Sequence, residues 1–281
     1  MTSLTPSVPI DLQTGTTPVQ QIVGRNPGPM TGPGTNSYLI GAEVLCLLDP
    51  GPADAVQLEV FLNIIGEREL RYILVTHTHR DHSPGAAALQ QATGAAVVGL
   101  PAPAGAGHDK TFKPGVDWQP GDEIDCGEYQ VRLIHTPGHA SNHICYLLLP
   151  NQLLFTGDHV LEGTTSVILP PDGDMNAYLT SLQELRAMPL RALAPGHGRL
   201  IDNPQQEIDG LIAHRQRRED KIVASLRQLG PCREKELVKL VYDDVAKHLI
   251  PLAMKTQLAH LIKLNQEGRA TQNNEQWQLI I

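Results

Sequence analysis

Apolar and polar positions along the chain follow two periods. Short apolar or β-branched runs at Tyr38 to Ile40, Val44 to Leu48, Tyr72 to Thr76, Ala95 to Leu100, Tyr129 to Thr136, Ile144 to Leu149, Leu153 to Thr156 and Ala192 to Ala194 have the length of strands. Gly, Pro, Asn or Asp punctuates most of them. Between them lie stretches of helical spacing: Val56, Val60, Phe61, Ile64 and Ile65 share a face closed by Gly66, residues 85–93 are Ala-rich, and Leu179, Leu182 and Leu185 mark a helix over Tyr178 to Met188. The pattern predicts a hairpin turning near Gly41, followed by β-α-β alternation and therefore a mixed α/β (α+β) domain. From Gln205 the chain becomes charged helix. One face carries Ile208, Leu211, Ile212, Ile222, Leu226 and Leu229 before Gly230-Pro231; two more amphipathic helices follow at Glu234 to Tyr242 and Leu252 to Gln266. Arg269 to Ile281, with Asn273-Asn274 at its turn, reads as a hairpin. Three helices and a hairpin make a winged-helix-like module, so we expect two domains, 1–204 and 205–281.

The chemistry stands where the strands stop. Directly after Tyr72–Thr76 come His77, His79, Asp81 and His82, four metal-ligand side chains within six residues. Ligands at 77, 79 and 81 can point one way from an extended turn, whereas His82 must point elsewhere and suits a second metal. Three further strand ends carry His139 after Pro137-Gly138, Asp158 after Gly157, and His197 after Pro195-Gly196. Seven such residues divide between two cations: His77, His79 and His139 for one, Asp81, His82 and His197 for the other, with Asp158 bridging through its two oxygens. Imidazole and carboxylate at borderline hardness suit zinc, with manganese or iron as alternatives. Asp49, at the end of the second hairpin strand, either orients a ligand histidine or caps a turn. Asn36 either donates to a substrate oxygen or serves its own turn. His143 is read as packing behind the ligands, His159 as facing solvent or substrate, and His108 as an exposed polar residue or a substrate contact. The loop from Glu162 to Asp174 is a candidate substrate rim.

Composition narrows the classes. The 281 residues carry a net charge of −8, and 12 of the 22 Lys and Arg lie in residues 205–281 against 10 of the 30 Asp and Glu. A tail at +2 does not by itself imply nucleic-acid binding, which needs clustered cations. The four cysteines, Cys46, Cys126, Cys145 and Cys232, lack a C-x-x-C pair and read mainly as core residues. Residues 1–14 show no secretory pattern and no run of about 18 apolar residues occurs, so a cytoplasmic location without a membrane span is expected.

The His-x-His-x-Asp-His cluster, the Pro-Gly-His, the Gly-Asp and the Pro-Gly-His-Gly, in this order, resemble the metallo-β-lactamase superfamily. Asn26-Pro27-Gly28-Pro29-Met30-Thr31 and Gly34-Thr35-Asn36-Ser37-Tyr38 are similar to the group that contains an animal mitochondrial endoribonuclease and its bacterial relatives. The resemblance covers residues from about 20 to 203 and implies a four-layer αββα sandwich; the tail resembles the winged-helix domain attached to the same group. It carries over the seven ligands, with Asp49 matching the superfamily's early aspartate. His79 stands where a glutamate would have indicated flavodiiron redox chemistry, so hydrolysis is implied.

The expected reaction is hydrolysis by hydroxide bridging two cations about 3.5–4 Å apart. Asp81 would orient that hydroxide, making Asp81 and Asp158 the expected catalytic carboxylates. The group resemblance favours single-stranded RNA phosphodiesters, with Lys255, Lys263 and Arg269 of the tail facing phosphate. The alternative is a small-molecule thioester of the hydroxyacylglutathione hydrolase type, with the tail covering the site rim or forming a homodimer contact. The missing export signal and the full ligand set argue against antibiotic hydrolysis.

Overall fold

In the computed structural model the described residues are 8–105 and 107–280. Residues 1–7, half of the stretch read for a secretory signal, and Ile281, the end of the expected hairpin, lie outside them.

Two sheets form the first compact unit, which comprises residues 1–136, 142–166 and 187–205. In sequence order the first sheet contains β1 (Ile10–Leu12), β2 (Val19–Val23), β3 (Asn36–Ile40), β4 (Val44–Leu48), β5 (Glu69–Leu74) and β6 (Ala96–Val98). The hairpin expected around Gly41 is β3–β4, and β4, β5 and β6 are parallel. Their crossovers are α1 (Ala55–Ile65) and α2 (Gly85–Thr93), so the β-α-β expectation holds. The second sheet runs β11 (Ala192–Pro195), β10 (Leu153–Gly157), β9 (Ile144–Leu148), β8 (Gln130–His135), β7 (Glu123–Asp125). Side chains alternate across β3 and β4 as a pleat requires. Tyr38, Ile40, Cys46 and Leu48 meet Val131, Leu133, Tyr146 and Phe155 in the core shared by the sheets. Leu39, Leu45 and Leu47 face the other way, onto Phe61 and Ile65 of α1 and Leu89 of α2. All four cysteines are buried, and Cys46 Sγ lies 3.2 Å from Cys126 Sγ within the shared core.

The second compact unit comprises residues 137–141, 167–186 and 206–281. It contains α3 (Met175–Arg186), most of α4 (Pro204–Leu229), α5 (Glu234–Val241), a 3-10 turn (Lys247–Leu249), α6 (Ile250–Gln266) and the hairpin β12 (Ala270–Asn273)–β13 (Gln276–Leu279). Ile222, Leu226, Leu237, Val241, Leu261, Leu264 and Trp277 fill its core. The hairpin turns at Asn274-Glu275, both with positive φ, one residue beyond the expected dipeptide. Among the described residues no helix is long and apolar enough to cross a membrane.

Several of the tail's cations pair with carboxylates within this unit. Lys263 Nζ donates to Glu219 (2.8 Å) and Glu267 (2.7 Å), and Arg269 donates to the same two carboxylates. Of the three side chains expected to face phosphate, two are thus held by carboxylates, and Lys255 is left exposed on α6.

Candidate metal centre

Each ligand-type residue sits just beyond a strand, where the backbone leaves the ladder. Asp49 follows β4 with φ 47, an unfavourable backbone for a residue with a Cβ, and is fully buried. His77, His79, Asp81 and His82 follow β5, His139 follows β8, Asp158 follows β10 and His197 follows β11. Two glycines let the strand ends approach closely. A Cβ on Gly196 would come within 2.8 Å of both Asp158 Oδ1 and His82 Cε1, and one on Gly157, at φ 46, within 2.7 Å of Thr76 Oγ1.

The seven side chains gather into two groups. One ligand atom each from His77, His79 and His139 lie within 4.8 Å of one another, as do those of Asp81, His82, Asp158 and His197. The histidines and Asp81 group as assigned from sequence, and Asp158, expected to bridge the two sets, falls with the second.

Hydrogen bonds on the outward side of the rings turn the inward nitrogens towards the cluster. Asp49 accepts from Thr76 N (2.8 Å), Thr76 Oγ1 (2.7 Å) and His82 Nδ1 (2.8 Å). Because the single Thr76 hydroxyl proton goes to this carboxylate, His77 Nδ1 must donate to Thr76 Oγ1 at 3.0 Å. His77 Nε2 is therefore a lone pair, and it lies 2.9 Å from His79 Nδ1. His139 Nδ1 donates to Val167 O (2.7 Å) and His197 Nδ1 to Gly34 O (3.2 Å). Asp49 thus touches His82 directly and His77 through Thr76, the arrangement that fixes tautomers in metal sites.

Electrostatics fit the same reading. His82 Nε2 and His197 Nε2 are buried without a hydrogen bond, yet lie 3.3–3.6 Å from oxygens of Asp81 and Asp158. Buried nitrogens aimed at carboxylates outside hydrogen-bonding geometry are a donor set for a divalent cation. Burial pushes the Asp81 carboxyl up, but the adjacent His82 and His197 outweigh it and bring it down to about 2. Burial lowers His82, and the carboxylates of Asp81, Asp158 and Asp49 more than reverse this, raising it well above the ordinary imidazole value. His197 is raised in the same way, against its burial, by Asp158 and Asp81.

The remaining candidates are placed as follows. Both amide hydrogens of Asn36 go to the carbonyls of Pro195 and Gly198 (2.9 Å each), so its side chain secures the loop carrying His197 and does not donate to a substrate oxygen. His143 is buried, shares a hydrogen bond with Thr136 Oγ1 (2.9 Å), and packs its ring 5.1 Å from that of His77. His159 is fully buried with its ring 5.6 Å from His143, which corrects the alternative of a solvent-facing side chain. His108 is neither exposed nor distant: it is buried and stacked on His79. Sequence reasoning gave it no role at the metal ligands, because nothing local in the loop marks it.

Comparison with known proteins accords with this geometry. Residues 30–197 match the family model of the metallo-beta-lactamase superfamily, and residues 234–277 that of the beta-lactamase associated winged helix domain. The chain is 31% identical to an atrochrysone carboxyl ACP thioesterase of Aspergillus fumigatus over 89% of its own length and 82% of the relative's. It is also 31% identical to the beta-lactamase-like protein 2 homolog of Drosophila melanogaster, over 90% of each chain. A metallo-beta-lactamase family protein from Thermus thermophilus shares the fold with a TM-score of 0.76 at 21% identity, over 94% of this chain and 98% of that one. A beta-lactamase domain protein from Burkholderia ambifaria has a TM-score of 0.78 at 18% identity, over 97% and 93%. The chain is therefore a hydrolase of the metallo-β-lactamase superfamily, with the superfamily's associated winged-helix domain at its C-terminal end.

Proposed function

We propose that the protein hydrolyses a thioester, with the acyl group carried on a pantetheine-type or other small thiol, using two divalent cations of which zinc suits the donor set best. His77, His79 and His139 would hold one cation, Asp81, His82 and His197 the other, and Asp158 both. Bound there, such cations would supply a lowered pKa for an attacking water and polarisation of the carbonyl under attack. Asp81, ionised throughout the neutral range, is the acceptor that orients the water's proton. Asp49 orients His82, and through Thr76 also His77, so that the inward nitrogen of each faces the cluster. Gly196 keeps a Cβ out of the space beside Asp158 and His82, and Gly157 keeps one away from Thr76 and His143.

The observation that favours a thioester over RNA is the commitment of Lys263 and Arg269 to Glu219 and Glu267. Phosphate binding needs cations free to displace counterions, and the whole chain is acidic. The relative named as a carboxyl ACP thioesterase supports the same substrate class. The test is metal-reconstituted protein assayed in parallel on an S-acyl pantetheine and on a fluorescent single-stranded RNA, at low and high salt. Thioester turnover that changes little with salt, and intact RNA, are expected. RNA cleavage that falls steeply with salt, without thioester turnover, would overturn the reading.

A further inference from the structure

We infer that His108 is a positioning residue for His79, and that its ring sets the affinity of the cation held by His77 and His79. The inference rests on the metal-centre reading above. The loop bearing His108 is tied to the ligand loop on both sides. His79 and His108 pair as an isolated antiparallel bridge, and Asp109 N donates to Thr78 O at 2.6 Å. Beyond the ligands, Ser83 Oγ donates to Asp109 Oδ2 at 3.1 Å. The dipeptide His108-Asp109 therefore spans the turn between the residue before His79 and the residue after His82.

The ring of His108 then acts on one ligand. It stacks on the His79 imidazole with centroids 4.8 Å apart and planes inclined by 27°. Its own orientation is set from behind, because His108 Nδ1 shares a hydrogen bond with Thr78 Oγ1 (3.0 Å). Thr78 Oγ1 in turn accepts from Asn142 Nδ2 (2.8 Å), which also reaches the carbonyls of Leu100 and Pro101, where the loop begins. His79 presents Nδ1, the ring nitrogen nearer the backbone, to the cluster. Rotation about the Cβ–Cγ bond therefore decides whether that nitrogen faces the cation. A flat ring held against it at this distance and tilt resists this rotation, a service that the carboxylate of Asp49 performs for His82 by hydrogen bonding. At 4% exposure His108 is buried, whereas the His79 ring it stacks on is only partly so.

The experiment is stepwise Zn2+ titration of the metal-free full chain against a chromophoric chelator, repeated with Co2+ to follow ligand-field absorption. Wild type is expected to take up two equivalents. H108A and H108N should weaken one step by about 10–100-fold while leaving the other near wild type. H108F, which keeps a flat ring, should restore most of the loss. Equal affinities in wild type, H108A and H108N would overturn the inference, as would equal weakening of both steps. If H108A does not fold, H108N against H108F decides the matter: no difference between them removes the role of the ring. A wild-type protein that takes up no cation would sink the metal-centre reading itself, and with it this inference.

Discussion

Asp49 shows how one buried carboxylate organises a cluster that has no covalent staple. It takes three donors at 2.7–2.8 Å on a backbone with φ 47, a conformation that persists only where surroundings over-determine it. The sequence pointed to Asp49 through its place at a strand end, but left an Asx-turn cap open as well. The deciding partner, His82, lies 33 residues away. His108 was less legible still, since its partner Thr78 is 30 residues distant and the intervening loop has no periodicity. The protonation of the cluster leads to a prediction at this scale. His82 and His197 have folded pKa values raised above 6.5, so in metal-free protein they add stability that is complete below 6.5 and is lost as pH rises through the raised values. Asp81, depressed to about 2, titrates outside this window. The melting temperature of chelator-treated protein should therefore fall as pH is raised above 6.5. Metal-loaded protein should gain relative to it over the same range, because ligands must lose protons to bind. Calorimetry of both forms across this range checks the sign, and parallel curves would contradict it.

Elements were easier to read than partners. Strands ending in Gly-Asp or Pro-Gly-His gave both the ladder and the point at which the backbone leaves it, and α2 spans the expected Gly85–Thr93. The strands missed were short or interrupted by polar residues: β1 is a three-residue strand with mostly exposed side chains, β2 carries two glutamines at its centre, and β7 has Ile124 as its sole apolar residue. The tail helices were legible from their faces, whereas the ion network that neutralises them was not, because Glu219 on α4 meets Lys263 on α6 across 44 residues. Burial pushes the Glu219 carboxyl up, and His260, Lys263 and Arg269 together hold it at about 2 against an ordinary 4.5. A depressed carboxyl contributes stability that is present above 4.5 and disappears as pH falls towards 2. Glu219→Ala, which leaves Lys263 with one carboxylate in place of two, should destabilise the tail by about 3 kcal/mol at pH 7. Urea denaturation followed by Trp277 fluorescence would measure this, and the gap to wild type should close near pH 2. A gap that persists unchanged in acid would assign the effect to packing.

The whole molecule divides differently from its sequence pattern. Composition changes at Gln205, yet the second compact unit also takes residues 137–141 and 167–186, a grouping that depends on contacts between distant segments and leaves no mark in local periodicity. Arg215 of α4, with its guanidinium 5.4 Å above the Tyr178 ring of α3, is one such contact. Function was legible to the level of a metal-dependent hydrolase, since seven ligand-type residues at strand ends leave few other chemistries. The bond cleaved was not, because the same donor set polarises a carbonyl or a phosphoryl oxygen equally well. The most direct measurement is therefore of the centre itself: thioester turnover by the full chain, stripped with chelator and titrated with Zn2+, alongside Asp158→Ala. Activity should rise to a plateau at about two equivalents per chain, and D158A should stay at background. Turnover that survives stripping, or D158A that reaches the wild-type plateau, would contradict the metal-centre reading.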